Sequence, residues 1–429
     1  MFCNQCEMTA HGTGCTKVGI CGKDENIQAL QENLIYALKG IAAYTYHARE
    51  LGYTDPEIDA FFAEALYSTL TNVAFDLNHF LELNMRAGQM TLRAMTMLKK
   101  AHTDHFGEMV PTQVPTGTVA GPAVVVTGHN LKALYELLRQ TEGTGINVYT
   151  HSEMLPAHGY PGLKRFPHLV GNLGAAWCDQ KKLFAEFPGA IVGTSNCVQI
   201  PLDAYKDRIF TVGASRLPGV PHIEDWDFTP VITKALTLPP CTEKPGEVTL
   251  TTGFADTNIL PMADKILAGV KAGKIRHFFV VGGCDAPGSL GNYYRDFVRM
   301  TPPDTLVITL ACGKFRFNDL DLGTIDGIPR LLDLGQCNDT ISAIRIATAL
   351  AEAFGCEVND LPLSIVLSWM EQKAVAVLMC LLSLGIRGIY LGPKPPAWIT
   401  PDVLRVLQEQ FDLRLTTTPE ADLKALLGR

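Results

Sequence analysis

The sequence predicts a multidomain α/β protein with a cysteine-rich N-terminal segment, a three-helix bundle and two doubly wound, Rossmann-like α/β domains. Three observations support this prediction. Apolar residues recur at three- and four-residue intervals between residues 26 and 107, which is typical of amphipathic helices. Short apolar runs then alternate with helical patterns, as in βαβ units of a parallel sheet. The alternation pauses at a polar, proline-bearing stretch near residues 238–248 and restarts after it. We therefore expect domains at residues 1–115, 116–245 and 246–429.

The helical region is expected to contain three helices. The first, "ENIQALQENLIYALKGIAAYTYHARELG", ends at Gly52. The second opens at "TDPE", where Thr54 or Asp55 can cap the helix and Glu57 completes a capping box with Thr54. The third periodic stretch covers residues 77–102. Because the turns between them are short, the helices should pack antiparallel as a small bundle.

Strands and further helices are expected after the Gly-, Pro- and Thr-rich stretch "VPTGTVAGP". The predicted strands are "AVVVTGH", "GINVYTH", "AIVGTSN" and "RIFTVG" in the first α/β domain, and "RHFFVVGG", "TLVITLA", "IPRLLDLG" and "GIYLG" in the second. Helices are predicted at "NLKALYELLRQT" and near residues 339–354, 371–385 and 402–411.

Charge and hydropathy exclude several classes of protein. A net charge of −8 and a pI near 5.8, without a long Lys/Arg run, do not favour nucleic acid or an anionic membrane as a partner. The N-terminus lacks the features of a signal peptide, and the longest apolar run, from Ala374, is too short to cross ~30 Å of hydrocarbon. We expect a cytoplasmic protein, whose twelve cysteines stay reduced and act as metal ligands, catalysts or small buried residues.

Six chemically active residues follow predicted strands at equivalent positions. Open α/β sheets place their ligand sites past the carboxyl ends of the strands, so two such domains could supply one buried metal site. A single cysteine is more often a small buried residue, but six cases at equivalent positions favour a shared site. The six residues are His129, Glu153, Cys197, Cys284, Cys312 and Cys337. Cysteines outside this setting are interpreted as structural: Cys178, Cys241, Cys356 and Cys380.

The type of ligand restricts the metal. Thiolates favour iron–sulfur clusters or zinc, whereas imidazole and carboxylate add harder donors. This mixture is unusual for structural zinc, which prefers a closed tetrahedral shell of Cys and His. The set is typical of a polynuclear iron site with an open coordination position.

A second group of thiols lies in the first 21 residues, spaced C-x2-C-x8-C-x5-C at Cys3, Cys6, Cys15 and Cys21. Four thiolates can hold an iron–sulfur cubane, and the intervening glycines let the backbone approach sulfide closely. A zinc site with four cysteine ligands would accept similar spacing and remains the alternative.

These motifs resemble the hybrid cluster protein family, also called prismane proteins or hydroxylamine reductases. The resemblance covers nearly the whole chain. It rests on "FCNQCEMTAHGTGC", "GICGK", "TEGTGINVYTHSEMLPAHGYP", "GTSNC", "VVGGCD", "LACGKFRFNDLDLG", "LGQCNDT" and "NDLPLSIVLSWMEQKAVAVL". The short stretch between Cys21 and the first α/β domain resembles the short class of the family, which lacks one of two helical bundles. The family is also structurally related to nickel–iron carbon monoxide dehydrogenases.

The resemblance implies two cofactors. Cys3, Cys6, Cys15 and Cys21 would bind a [4Fe–4S] cubane. A buried hybrid [4Fe–2O–2S] cluster would have seven ligands. One of them, Cys284, would carry a persulfide. Glu371 is the one ligand that the strand pattern does not predict. The implied ligands are His129, Glu153, Cys197, Cys284, Cys312, Cys337 and Glu371.

The implied activity is reduction of hydroxylamine to ammonia and water, with His129, Cys284 and Glu371 at the reacting cluster. Lys373 is a predicted proton donor, although a solvent-facing helix lysine is the alternative. Electrons would come from a ferredoxin-type or a flavin/iron–sulfur reductase through the cubane, and a homodimer is left open. Nitric oxide reduction, protein trans-nitrosation, a non-catalytic redox or nitric oxide sensor and a zinc-stabilised structural protein are the other functions that the sequence allows.

Overall fold

The computed structural model describes residues 1–428. Helices and strands are numbered along the chain. The helices are α1 (Glu25–Glu50), α2 (Pro56–Ser68), α3 (Leu77–Phe106), α4 (Leu131–Thr141), α5 (Pro161–Lys164), α6 (Gln180–Glu186), α7 (Thr229–Thr237), α8 (Asp256–Ile259), α9 (Ala263–Lys271), α10 (Asn292–Arg299), α11 (Thr340–Phe354), α12 (Gln372–Ser383), α13 (Pro401–Phe411) and α14 (Pro419–Leu426). The strands are β1 (Thr112–Pro115), β2 (Ala123–Thr127), β3 (Asn147–His151), β4 (Leu169–Asn172), β5 (Ala190–Gly193), β6 (Ile209–Val212), β7 (His222–Ile223), β8 (Thr249–Thr252), β9 (His277–Gly283), β10 (Thr305–Thr309), β11 (Thr324–Ile325), β12 (Ile328–Pro329), β13 (Leu331–Asp333), β14 (Leu363–Ser368), β15 (Tyr390–Gly392) and β16 (Arg414–Leu415).

The described residues divide into two compact units. One contains Met1–Ala101 together with the described residues from Glu357 onward, and the other contains His102–Cys356. The domain boundaries that the sequence predicts near residues 115 and 245 stay predictions. Within residues 1–428, none of the helices combines the length and the apolar character needed to span a bilayer.

The first unit contains the three predicted N-terminal helices. The side chain of Asp24 caps α1 by accepting a hydrogen bond from Ile27 N at 2.8 Å. The predicted capping box between Thr54 and Glu57 is wrong, because Asp55 occupies the N-cap of α2 and accepts from the backbone N–H of Glu57 at 3.0 Å. Asp55 can do so because it directly precedes a proline, which favours the first helical turn.

Helix α12 packs against α1 in the first unit, and the contact requires a glycine. A Cβ on Gly40 would lie 2.6 Å from Ala376 Cβ and 2.8 Å from the carbonyl oxygen of Gln372. The two helices therefore approach closely at the N-terminus of α12, where Glu371 is the N-cap residue. Strands β14, β15 and β16 of the same unit pair in parallel in that order.

The second unit contains parallel strands in the order β4-β3-β2-β5-β6-β7. A second set in this unit pairs in parallel in the order β13-β10-β9. Strand β2 is buried along its whole length, as expected for a parallel strand covered on both faces. Aromatic and branched residues such as Tyr149, Phe184 and Ile191 form the core beside it. The predicted alternation of parallel strands and helices is confirmed.

Several strands were not predicted, namely β1, β4, β7, β8, β11, β14 and β16. β1 pairs antiparallel with β8, so Val114 and Pro115 of the expected linker belong to a strand. The polar stretch near residue 240 also returns to this region, since Gly121 and Cys241 form an isolated bridge, as do Thr118 and Lys244. These segments are short and rich in Thr and Pro, so their composition indicates loops.

Candidate functional site

The strand order explains why six of the predicted site residues lie in loops at the carboxyl ends of neighbouring strands. His129, Glu153 and Cys197 follow β2, β3 and β5, which are neighbours in one parallel set. In the register of these strands, Thr127 at the end of β2 pairs with His151 at the end of β3 and with Gly193 at the end of β5. The other three, Cys284, Cys312 and Cys337, follow the neighbouring strands β9, β10 and β13. Each trio therefore lies past the carboxyl ends of adjacent parallel strands.

Three of these side chains come together closely. Ligand atoms of His129, Glu153 and Cys337 all lie within 4.8 Å of one another. Glu153 Oε2 is 3.7 Å from His129 Nε2 and accepts a hydrogen bond from Cys337 N at 3.0 Å. Gln336 Nε2 donates to the carbonyl oxygens of Glu153, at 2.7 Å, and His129, at 3.2 Å. The loop before Cys337 is thus bonded to the loops that carry the imidazole and the carboxylate.

Cys312 lies near the same carboxylate and also near the other two thiols, Cys197 and Cys284. The buried Cys312 Sγ hydrogen-bonds Ser152 Oγ at 3.2 Å. Burial raises the pKa of the Cys312 thiol well above its usual value, and the nearby charges of Glu153, Cys197 and Cys284 raise it further. The Ser152 hydrogen bond opposes this effect only in part.

The chemistry of these donors fits a metal cluster. Ionised thiolates and a carboxylate in one buried place repel one another, and this repulsion disfavours the charged form of the buried Cys312 thiol. A multiply charged cation assembly would compensate this repulsion and allow the thiols to deprotonate. Thiolates with an imidazole and a carboxylate suit iron bound to both sulfide and oxygen.

The His129 ring is held by a serine. Ser195 Oγ lies 2.8 Å from His129 Nδ1 and also accepts from His129 N at 2.9 Å. Metal-binding histidines commonly use one ring nitrogen for such a contact, which leaves the other for the metal. Here Nε2 is the nitrogen that faces Glu153.

Gly128 makes this contact between His129 and Ser195 sterically feasible. Its φ of +108° lies in the region that favours glycine, and a Cβ there would be 2.5 Å from Thr194 Oγ1 and 2.7 Å from Ser195 Oγ.

We expect Gly128→Ala to destabilise the protein by about 1–3 kcal/mol through backbone strain plus a clash. Gly143→Ala is the matched control, because Gly143 has a φ of +76° but no atom within 4 Å of its Cβ position. Urea unfolding of both variants checks this. If both variants lose the same free energy of unfolding, the contact with Ser195 is not close.

Lys314 is a site residue that sequence reasoning missed. Its side chain is fully buried and donates to both carboxylate oxygens of Asp333, at 2.8 and 2.9 Å, and to Gly335 O at 2.9 Å. Lys314 follows Cys312 by two residues, and Gly335 precedes Cys337 by two. The lysine therefore joins two of the cysteine loops. The only sequence signal was a charged residue within a buried strand-end loop.

Glu371 and Lys373 belong to the first unit. Glu371 Oε2 accepts from the backbone N–H of Lys373 at 3.2 Å, and the Lys373 ammonium lies 3.9 Å from Glu371 Oε1. Lys373 is only 3% exposed, so the alternative of a solvent-facing lysine is wrong. The part that these two residues play beside the six strand-end residues stays a prediction.

The N-terminal cysteines of the first unit lie in one region of the fold. Cys3 and Cys15 exchange backbone hydrogen bonds of 3.0 and 2.8 Å. Cys3, Cys6 and Cys21 line one small cavity of about 20 Å³. Backbone hydrogen bonds at Ala10 and Ile20 lower the pKa of the Cys15 thiol.

A positive charge lies beside these thiols. The buried Lys23 lines the same cavity and donates to Gln31 Oε1 at 2.8 Å. Thiolates around one site need compensating charge or hydrogen bonds. Both are present here, which fits a metal-binding function of the quartet.

The cysteines interpreted as structural differ in their surroundings. Cys241 lies within the hydrophobic core beside β2, and Cys380 is fully buried in α12. Burial raises the pKa of Cys380 to about 12. Cys178 is different, because its thiol donates a hydrogen bond to Asp285 Oδ2 at 3.2 Å.

Known proteins match the whole chain in sequence. The chain is 62% identical to a protein named hydroxylamine reductase from Moorella thermoacetica, and the alignment covers 100% of both chains. It is 56% identical to a protein of the same name from Methanothermobacter thermautotrophicus, again over 100% of both. A relative so named from Geobacter sulfurreducens is 43% identical over 549 aligned positions, so it has residues without a counterpart in this chain of 429.

Solved structures share the fold of this chain, and a family model matches its sequence. Carbon monoxide dehydrogenase IV from Carboxydothermus hydrogenoformans aligns with a TM-score of 0.80 at 15% identity, covering 100% of this chain and 92% of that one. A Ni-free carbon monoxide dehydrogenase from Thermococcus sp. AM4 aligns with a TM-score of 0.78 at 16% identity, covering 100% and 90%. At these identities the likeness concerns the fold. The model of the Prismane/CO dehydrogenase family matches residues 1–83 and 51–424. The chain therefore belongs to the Prismane/CO dehydrogenase family.

Proposed function

We propose that this protein is an oxidoreductase that reduces hydroxylamine to ammonia and water. The reaction consumes two electrons and two protons for each N–O bond cleaved. The observation that carries the proposal is the identity of 62% over the full length with a relative named hydroxylamine reductase. The buried group of thiols, imidazole and carboxylate supports it, because such donors suit a redox-active iron cluster.

Two iron–sulfur cofactors are part of the proposal. Cys3, Cys6, Cys15 and Cys21 would hold a [4Fe–4S] cubane. A hybrid [4Fe–2O–2S] cluster would be held by His129, Glu153, Cys197, Cys284, Cys312, Cys337 and Glu371. When bound, such a cluster supplies electrons and a Lewis-acidic iron to the substrate.

The protein's own groups orient these ligands and exclude water. Ser195 holds His129 Nδ1, and Gln336 ties the Cys337 loop to the carbonyl groups of His129 and Glu153. All six strand-end ligands are buried or partly buried, which limits competition from bulk water. We assign proton delivery to Lys373, whose buried ammonium lies 3.9 Å from Glu371.

Electrons would enter through the cubane from a ferredoxin-type or a flavin/iron–sulfur reductase. The N-terminal thiols suit this task, because Cys6 and Cys21 are partly exposed. No nucleic acid or membrane partner is proposed, and a homodimer remains compatible with this function.

Anaerobic turnover of the purified, reduced protein tests the proposed function. We expect many turnovers per chain with hydroxylamine as the sole acceptor and one ammonia formed per two electrons. A larger kcat/KM with nitric oxide would instead assign nitric oxide reduction. Absence of repeated turnover with either acceptor would leave a sensor or an electron-transfer protein.

Cys6→Ala should separate the two thiol groups functionally. We expect the variant to lose up to about four iron atoms per chain, because the cubane would lack one ligand. Electron delivery from a protein donor should slow by at least about tenfold, while a small reductant could still reach the inner site. Thr13→Ala, in the same segment but without a thiol, is the control. Iron analysis and turnover with both reductants check this, and an unchanged iron content in Cys6→Ala would contradict it.

A further inference from the structure

Gln180 is a fully buried residue that bonds the Cys197 loop in two places. Its Nε2 donates to the carbonyl oxygen of Cys197 at 2.6 Å, and its Oε1 accepts from Gln199 N at 2.9 Å. The same Nε2 also donates to Trp177 O at 2.6 Å. The side chain thus satisfies two backbone groups, the carbonyl oxygen of Cys197 itself and the N–H of Gln199 two residues later.

The Cys197 backbone needs such support. Its φ is +71°, a left-handed conformation that is uncommon for a residue with a Cβ. Such a conformation costs about 1–3 kcal/mol and persists only where its surroundings impose it. Gln180 bonds the carbonyl oxygen of this strained residue and the N–H of Gln199, which lies two residues after it.

The segment that carries Gln180 also bonds the Cys284 loop. Trp177 Nε1 donates to the carbonyl oxygen of Asp285 at 3.3 Å, and the Cys178 thiol donates to Asp285 Oδ2 at 3.2 Å. Asp285 directly follows Cys284. Its other carboxylate oxygen accepts from Arg316 Nε at 2.6 Å, so the carboxylate is fixed from two sides.

We infer that residues 177–180, here called the latch segment, position Cys197 and Cys284 relative to one another, and that Gln180 is the positioning residue for Cys197. One end of the latch segment bonds the Cys197 loop and the other bonds the Cys284 loop. These hydrogen bonds reach the backbone of the two loops and the Asp285 carboxylate, so the latch segment acts on the positions of the two loops. The functional part of this inference rests on the proposed function, since it takes both cysteines as ligands of one cluster.

Gln180→Met tests the inference, because it keeps a long, unbranched side chain but removes both hydrogen-bonding groups. Gln140→Met is a closely matched control in the same unit. Gln140 Nε2 donates to Trp226 O at 2.7 Å, and its Oε1 accepts from Phe228 N at 2.9 Å. Trp226 also has a left-handed backbone, with a φ of +59°. The two glutamines therefore make the same kind of contact, but only Gln180 bonds a cysteine loop.

Hydrogen exchange of the apoprotein gives a readout that does not depend on a cofactor. In Gln180→Met, amides of residues 195–199 should exchange at least about tenfold faster than in the wild type. In Gln140→Met the faster exchange should be confined to residues 226–228. Trp177→Phe is a milder second variant should Gln180→Met fold poorly, and it should accelerate exchange at residues 284–286.

The loaded protein gives a second readout. We expect Gln180→Met to change the electron paramagnetic resonance signal of the buried cluster and to lower kcat for hydroxylamine by about tenfold or more, with a smaller change in KM. Gln140→Met should leave the signal unchanged. Wild-type exchange and a wild-type signal in folded Gln180→Met would overturn the inference. If the wild type itself does not reduce hydroxylamine, the proposed function fails, whereas the exchange comparison still decides whether the latch segment positions the two loops.

Discussion

Cys284→Ala is expected to abolish hydroxylamine reduction while the protein stays folded. Cys284 follows β9, and its charge acts on the buried Cys312, so both thiols belong to one group. Replacing a residue that only supports a metal ligand lowers activity about 10–100-fold. Replacing a proposed ligand should therefore lower activity by more than about 100-fold. The side chain is partly exposed in the protein chain, and its removal leaves no large buried cavity.

Steady-state turnover and iron analysis of Cys284→Ala check this expectation. The N-terminal cubane should remain, because its four thiols lie in the other compact unit. Cys356→Ala is the control, since Cys356 is a partly buried thiol of the same unit that lies outside both groups. Activity like that of the wild type in Cys284→Ala would remove this residue, and the persulfide proposed on it, from the reaction.

Lys314→Met is expected to be the most destabilising of the substitutions considered. Removal of the lysine leaves the buried Asp333 carboxylate without its cation, and breaking a buried pair in this way costs about 3–5 kcal/mol. It also removes the bond to Gly335 O that ties the Cys312 loop to the Cys337 loop. Iron retention should therefore fall together with stability.

Urea unfolding of three variants isolates the ion pair. Lys314→Met combined with Asp333→Leu should recover part of the loss, because no unpaired charge remains buried. Lys274→Met is the control, since its pair with Asp326 at 2.8 Å is about half exposed and should be worth less than about 1 kcal/mol. If Lys314→Met and Lys274→Met lose the same free energy of unfolding, burial of the Lys314–Asp333 pair has no energetic consequence.

Among the described residues, the sequence predicted eight parallel strands, because these are continuous apolar runs bounded by glycine and polar residues, but it missed β4, β7, β14 and β16. β2 and β10 are buried along their whole length, and both lie within predicted runs. The positions of His129, Glu153 and Cys337 after their strands could be predicted for the same reason. Their separation of less than 4.8 Å could not, because it depends on how the loops bond to one another.

Contacts between distant segments escaped prediction, as did local elements such as β14 and α9. β1 and β8 are four residues each and pair across more than 130 positions of the sequence, which no local pattern signals. Lys314 and Gln180 look like ordinary polar residues in the sequence. Their importance follows from complete burial and from carbonyl groups of other loops that only the fold brings within reach.

Anomalous diffraction at the iron absorption edge, from crystals grown without oxygen, tests the central claim most directly. We predict iron at two places, one among Cys3, Cys6, Cys15 and Cys21 and the other among the side chains that follow β2, β3, β5, β9, β10 and β13. Zinc at the first place, or no iron beside Glu153 at the second, would contradict the account.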